Sequence, residues 1–326
     1  MIHDPKARIA DLPGERMPLY VRGDGTITLV IHTRRRMPDP PTGKLDCQET
    51  AKHYRERVRQ NIRELGAAPG LALILGSDDP GSLVYRDLIL KDCEDLGIRA
   101  THHRVTSGIQ TVKTLAHLNQ EDRIHGIFVF YPLGWPELKD DEVMDLVDPG
   151  KDIEGLHSIN IGYLQKFRKR METDKDRRCM SPCTGRAVVK TIKRGFGERY
   201  FEGKTVLVIN DSLRIGRPIT AMLANLRATP ILCHQYTNAE HLESFCRIAD
   251  IIVSAVPVKG YRVPTDWIKD QAVCIDLSYG GNFDFEALNV RGIPHTDASK
   301  NSVVRVTRAM ALLNLTYAAG WENPRA

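Results

Sequence analysis

The 326-residue chain has no apolar run approaching the ~18 residues that a membrane span needs, and its opening, MIHDPKARIADLPGER, lacks the apolar centre of a secretory leader. No membrane association is expected, and a cytoplasmic location is. The seven cysteines, at 47, 93, 179, 183, 233, 246 and 274, are odd in number and form no C-x-x-C pair. That argues against a disulfide framework and a structural zinc site, so reduced thiols and no metal are expected. A net charge of +5 is mild for this length. Its densest pieces, Arg34-Arg35-Arg36 and Lys166 to Arg170, accompany no nucleic-acid recognition motif, so they read as solvated loops or as a weak field that steers a small polyanion, and no nucleic-acid partner is expected. The G-x-G-x-x-G phosphate fingerprint is also missing.

What is present is a strand and helix alternation. After a hairpin-like stretch around Gly23-Asp24-Gly25 and a proline-rich MPDPPTG, the pattern from Asp46 onward becomes α/β. CQETAKHYRERVRQNIREL is helical, and GLALILG is a continuous apolar run of the kind that parallel strands bury on both faces. Asp79-Pro80 opens a second helix that a glycine closes. Further strands are expected at IRATHHRV, IHGIFVFYPL, TPILCHQ, DIIVSAVP and AVCIDLS, with helices between them. Ser181 or Thr184 is expected to cap the helix after SPCTG, and NSVVRVTRAMALLNLTYAA to form one long amphipathic helix that returns to the first half of the chain. Alternation of this kind makes a mainly parallel sheet with right-handed crossovers.

Lys204 to Pro218, KTVLVINDSLRIGRP, reads as strand, tight turn and helix, with proline in the first helical turn. In a doubly wound sheet such a turn aims backbone N–H groups and a helix N-terminus at an anion, commonly a dinucleotide pyrophosphate. By itself it is equally an ordinary βα turn.

Several segments together resemble the methylenetetrahydrofolate dehydrogenase/cyclohydrolase family: Asp79-Pro80-Gly81-Ser82-Leu83-Val84-Tyr85, GIFVFYPL, Lys151-Asp152-Ile153-Glu154-Gly155, Ser181-Pro182-Cys183-Thr184, Ser212 with Ile215 to Pro218, and ADIIVSAVP followed by WIKDQAVCID. They stand in the family's order across residues 46 to 320. The resemblance implies two three-layer α/β domains with folate in the cleft between them, and usually a homodimer. Residues 1–45 would be an N-terminal extension, 46–178 plus 303–326 the folate-binding catalytic domain, and 179–302 a Rossmann-type NAD(P)-binding domain. It implies hydride transfer from 5,10-methylenetetrahydrofolate to NAD(P) and, in many members, hydrolysis of the methenyl product.

Two departures bear on that second activity. Bifunctional members carry a lysine four residues after the tyrosine, where this chain has Ile89; Lys91 lies about 120° around the helix from Tyr85. The strand that usually reads V-Q-L-P reads Val129-Phe130-Tyr131-Pro132. Oxidation of a carbon flanked by two nitrogens is driven by their lone pairs, whereas adding water and opening the ring needs positioned proton transfers. Hydride transfer with cyclohydrolase activity absent or very low is therefore expected, as in the family's monofunctional NAD-dependent branch.

Carried over by position, Tyr85 is the active-site tyrosine, and Ser82, Phe130, Pro132, Glu154 and Thr184 join it in binding the folate. Glu154 stands where the family's pterin-binding aspartate stands, and a carboxylate can accept two parallel N–H bonds from an amino-pyrimidinone edge. The cofactor side comprises Asn210, Asp211, Ser212, Ile215, Gly216, Arg217, His234, Val256, Pro257 and Thr307. Asp211 in place of the arginine of NADP-dependent members favours NAD, with Arg214 and Arg217 near enough to compensate. The loop NSVVRVT keeps only Val303 and Thr307 of the family's glycine-rich pattern. Two alternatives stay open: a repurposed enzyme that oxidises a non-folate amine or aminal, and a catalytically silent ligand-binding homologue.

Overall fold

A computed structural model describes residues 8–10, 19–21, 27–29, 45–171 and 178–321. The chain forms two compact units, Met1–Pro40 and Pro41–Ala326. In the first, β1 (Arg8–Ala10), β2 (Leu19–Val21) and β3 (Ile27–Leu29) form an antiparallel sheet in that order. The expected hairpin is the β2–β3 pair, with Leu19 opposite Leu29; its turn glycines lie outside the described residues, and β1 is an addition.

The second unit runs α1 (Cys47–Leu65), β4 (Gly70–Leu75), α2 (Pro80–Leu96), β5 (Arg99–Arg104), α3 (Gly108–Gln120), β6 (Gly126–Phe130), α4 (Asp140–Met144) and α5 (Ser158–Gln165). It continues with α6 (Cys183–Phe196), β7 (Thr205–Ile209), α7 (Gly216–Asn225), β8 (Thr229–Cys233), α8 (Ala239–Ile248), β9 (Ile251–Ser254), β10 (Val273–Asp276), α9 (Phe285–Val290) and α10 (Val304–Ala318). The strands pair in parallel as two sheets, ordered β5-β4-β6 and β10-β9-β7-β8.

The inner strands β4 and β7 are covered on both faces, as their apolar sequences require, whereas the polar edge strand β5 is largely exposed. Along β4, Leu71, Leu73 and Leu75 join the cluster with Val58 of α1 and Met310 of α10, while Ala72 and Ile74 join Leu115 of α3 and Val143 of α4. Along β7, Val206 and Val208 face that first cluster, and Leu207 and Ile209 pack with Cys246 of α8 and Leu288 of α9. All seven thiols are buried and unpaired by disulfides.

Two expectations need correction. The N-cap of α6 is Pro182, with no side-chain cap bond, so neither Ser181 nor Thr184 caps it; Thr184 lies within the first turn. Nor is α10 amphipathic, since every residue from Val306 to Thr316 is buried. Its polar residues are matched inside: Arg308 to Asp92 of α2 at 2.7 Å, Asn314 to the carbonyls of Ile153 and Ser181 at 2.8 and 2.9 Å, and Thr316 to Asn61 of α1 at 2.9 Å. The helices α5 and α9 were not foreseen; both are short, eight and six residues.

Candidate active site

Both sheets reverse their winding direction beside their central strand, β4 in one and β7 in the other, and open α/β sheets hold ligands at the strand C-termini next to such a reversal. The segments that leave β4, β6, β7 and β9 carry most of the residues singled out from sequence.

Asp79 caps α2 by accepting from the Ser82 amide at 2.8 Å, and Pro80 occupies the first turn, where no N–H is needed. This start fixes Tyr85, part-buried, with its ring 6.0 Å from Phe128 and 6.1 Å from Phe130, the latter edge-on. Phe128 and Phe130 are two apart on β6 and so share a face, 5.0 Å from each other. Ile89, one turn after Tyr85, is 2% exposed in the same cluster, while Lys91 is exposed. Burial raises the Tyr85 hydroxyl pKa, so it is a neutral phenol at ordinary pH. Ser82 is buried beside it, and Pro132, following β6, is exposed.

Opposite in character is the Glu154 segment. Buried Asp152 accepts from the amides of Gly155 at 2.9 Å and His157 at 2.8 Å and from the Asn160 side chain at 2.9 Å, which closes the loop. Gly155 has φ +73°, and a Cβ there would lie 2.5 Å from the Ser181 carbonyl carbon, so glycine is required on both counts. The Glu154 carbonyl accepts from the Cys183 amide at 3.0 Å, tying the loop to α6. The Glu154 carboxylate accepts from the Val129 amide at 3.3 Å. Burial pushes its pKa up to about 8, against the opposing pull of Arg214.

After β7, Asn210 organises the turn. Its side-chain oxygen accepts from the Ser212 amide at 3.0 Å, the Ser212 hydroxyl at 2.6 Å and the Gly216 amide at 3.1 Å, and its amide donates to the Ala255 carbonyl at 2.9 Å, spanning β7 to β9. The Ser212 hydroxyl accepts from Ile215 at 3.2 Å. At Gly216 a Cβ would lie 1.5 Å from the Asn210 carbonyl oxygen, which explains the one glycine that the motif retains. Asn282 braces the next turn through the Val256 amide and carbonyl at 2.8 and 3.1 Å, and Pro257 beyond it is exposed. His234 is exposed at the end of β8, where its ring accepts from the Tyr236 amide at 3.2 Å.

The two sides meet at Arg214. Its guanidinium lies 5.1 Å over the Tyr131 ring and acts on Glu154, so it is turned toward the Glu154 loop. Arg217 is exposed and donates to the Asp211 carbonyl at 2.9 Å. Thr307 is buried with its hydroxyl spent on the Val303 carbonyl at 3.2 Å, and no described contact brings it to the turn. Thr184 bonds the Cys183 thiol. Cys183, an electrostatic neighbour of both Tyr85 and Glu154, was missed from sequence, although the Ser181 to Thr184 motif held it; burial pushes its thiol up to about 12, so it is inert packing at this junction.

The class that this geometry defines is a two-sheet α/β protein with a polar, carboxylate-bearing loop facing a dinucleotide-type βα turn. The family model for tetrahydrofolate dehydrogenase/cyclohydrolase, catalytic domain, matches residues 45–154, and that for its NAD(P)-binding domain matches residues 182–319. The chain belongs to the tetrahydrofolate dehydrogenase/cyclohydrolase family. It is 33% identical over 239 residues to the bifunctional protein FolD of Pelobacter propionicus, covering 72% of this chain and 79% of that one. It is 26% identical over 311 residues to the methylenetetrahydrofolate dehydrogenase [NAD(+)] of Schizosaccharomyces pombe, covering 87% and 95%. Among solved structures, the 5,10-methylenetetrahydrofolate dehydrogenase of the silkworm Bombyx mori superposes with a TM-score of 0.74 at 29% identity, covering 85% of this chain and 97% of that one.

Proposed function

We propose that the protein oxidises 5,10-methylenetetrahydrofolate to the methenyl form with NAD as hydride acceptor and does not hydrolyse the product at a useful rate. The observation that carries this reading is Ile89, 2% exposed one helical turn from Tyr85 and packed in the same cluster as Phe128 and Phe130. No amine from α2 stands beside the phenol, and Lys91 is exposed.

The substrate's own nitrogens supply the electrons for hydride loss, so the protein's task is to hold and orient. Glu154, once ionised, accepts two N–H bonds from the pterin edge, and the Asp152 loop fixes that carboxylate against β6. Tyr85 offers an aromatic face and a neutral hydroxyl. Hydration of the methenyl cation and ring opening require a group that takes and returns protons. A phenol whose pKa burial has raised, against an aromatic wall, serves poorly as that group.

The turn after β7 fits a dinucleotide. Gly216 allows close approach, α7 points its N-terminus at the turn, and the amides of Leu213 and Arg214 have no hydrogen-bond partner among the described residues. When bound, NAD supplies the hydride acceptor. What supports NAD over NADP is Asp211 in the turn together with Arg214 engaged at Tyr131 and Glu154, which leaves Arg217 as the nearby cation for a 2′-phosphate. The Schizosaccharomyces pombe relative, whose name gives NAD as its cofactor, agrees.

Steady-state assays on methylenetetrahydrofolate test this directly. kcat/KM with NAD should exceed that with NADP by about tenfold or more, since a carboxylate opposes a phosphate that it cannot bond. Equal efficiency, or preference for NADP, would remove the cofactor assignment. Tight binding of folate and NAD without reduction would instead favour a silent homologue.

A further inference from the structure

A second cavity, of about 270 Å³, lies between α5, α6 and α7, and neither Tyr85 nor Glu154 lines it. Among the described residues its wall carries Arg168, Lys169, Arg178, Arg186, Lys190 and Lys193 and no Asp or Glu. The lining also includes the apolar Met180, Val189, Met222 and Leu226. We propose that this cavity binds a small amphipathic organic anion, with its acidic group set between Arg186 and Lys190 and its apolar body against Val189, Met222 and Leu226.

Three of these side chains have no acid bonded to them among the described residues: exposed Lys169, and the part-buried Arg186 and Lys190 of α6. Lys193 pairs with Glu198 at 2.9 Å, and Arg168 and Arg178 make further interactions of their own. Arg186 has only neutral partners, Asn314 at 2.7 Å and the Tyr317 hydroxyl at 3.2 Å. Lys190 makes no ion pair or hydrogen bond among the described residues; its one contact of note is the Tyr54 ring, 6.0 Å away. Arg186 and Lys190 are four apart on α6 and therefore neighbours on one face, where like charges repel. Part-burial, then the nearby Arg186, depress the Lys190 pKa; Glu198, already paired with Lys193, pulls the other way without reversing the shift.

The size and mixed lining suit an organic ligand. The cavity falls just below the roughly 300–1,000 Å³ range of drug-sized sites, which suits a smaller ligand, and such sites combine apolar walls with a few convergent polar groups. A guanidinium and an ammonium on one helix match a carboxylate, sulfonate or phosphate, and the apolar residues of the lining would desolvate the body attached to it. Phosphate esters and carboxylates share this chemistry.

The test titrates the full chain with 1-anilinonaphthalene-8-sulfonate, an amphipathic sulfonate, and reads its fluorescence, with inorganic pyrophosphate as competitor. Wild type should show a saturable site from which pyrophosphate displaces the dye. Losing one charge-assisted partner should weaken dye binding by about tenfold or more in K190M and equally in K190Q, with circular dichroism spectra and melting unchanged. Equal binding by wild type and both variants, no saturable binding by wild type, or bound dye that pyrophosphate cannot displace would overturn the proposal. Displacement by citrate as well would mark a carboxylate ligand, and displacement by pyrophosphate alone a phosphate ester, both within the proposed chemistry.

Discussion

The two ends of the candidate active site are built on opposite principles. At the Glu154 end, one buried carboxylate, Asp152, satisfies two amides and an asparagine, Asn314 supports the Ile153 carbonyl, and Gly155 has no room for a methyl group. Around Tyr85 the neighbours are Phe128, Phe130 and Ile89, held by packing. A polar network fixes position closely, because each partner left unmatched in a buried place costs free energy. An apolar wall fixes shape and excludes water but moves no protons. The Glu154 end is thus suited to gripping a hydrogen-bonding edge, and the Tyr85 end is lined by hydrophobic packing.

This contrast can be broken most forcefully at Gly155. G155A places a methyl group 2.5 Å from the Ser181 carbonyl carbon at φ +73°, and strain plus overpacking should cost roughly 3 kcal/mol in urea unfolding. A loss below about 1 kcal/mol would mean that the loop is looser than its bonds imply.

Next in size is the carboxylate itself. E154A removes two charge-assisted hydrogen bonds to substrate and should lower kcat/KM for methylenetetrahydrofolate about a hundredfold, with the KM for NAD little changed. An equal loss on both substrates would point to general disruption.

A pH series sharpens the same end. Because burial raises the Glu154 pKa from 4.5 to about 8, the carboxyl is largely protonated at pH 6 and ionised at pH 9. Only the ionised form accepts at both oxygens, so KM for the folate should fall as pH rises through about 8, and E154Q should flatten the profile. For stability the sign is reversed. Between 4.5 and about 8 the folded protein holds a proton that the unfolded chain has released, so this group's contribution is greatest at low pH and declines as pH rises toward about 8. A KM that rises with pH would contradict the assigned role.

The smallest effect belongs at the packed end. I89V trims one methylene from a 2% exposed side chain and should cost about 1 kcal/mol of stability while leaving hydride transfer near the wild-type rate. A large loss of activity would show that the wall does more than fill space.

Much of this was legible in the sequence because local signals and tertiary demands agreed. The apolar runs of β4 and β7 announce strands buried on both faces, and Asp79-Pro80 announces the start of α2, as the structure bears out. Tyr85 and Ile89 could be placed one turn apart from helical periodicity alone, and Lys91 off that face. The failures come where a polar residue is satisfied by something distant in the chain. Thr307, Arg308, Asn314 and Thr316 are the polar residues in the middle of α10, yet each is buried, and Arg308, Asn314 and Thr316 have partners more than a hundred residues away. A one-dimensional pattern cannot tell a solvated polar stripe from an internally matched one. Arg214 misled for the same reason: it is local to the cofactor turn in sequence, but its guanidinium reaches Tyr131 and is turned toward the Glu154 loop. Cys183 gave no chemical signal, since a buried thiol at about 12 is silent; only its position between Tyr85 and Glu154 makes it part of the site.

The central claim is that hydride removal and product hydrolysis separate in this protein because Tyr85 stands beside Ile89 and Phe130 and no ammonium from α2 joins it. The most direct measurement supplies purified protein with methylenetetrahydrofolate and NAD and follows reduced nicotinamide and methenyltetrahydrofolate together. The account predicts that both accumulate in step and that the methenyl product then decays no faster than in buffer. Enzyme-dependent loss of the methenyl form at a rate comparable to its formation, or no nicotinamide reduction at all, would contradict it.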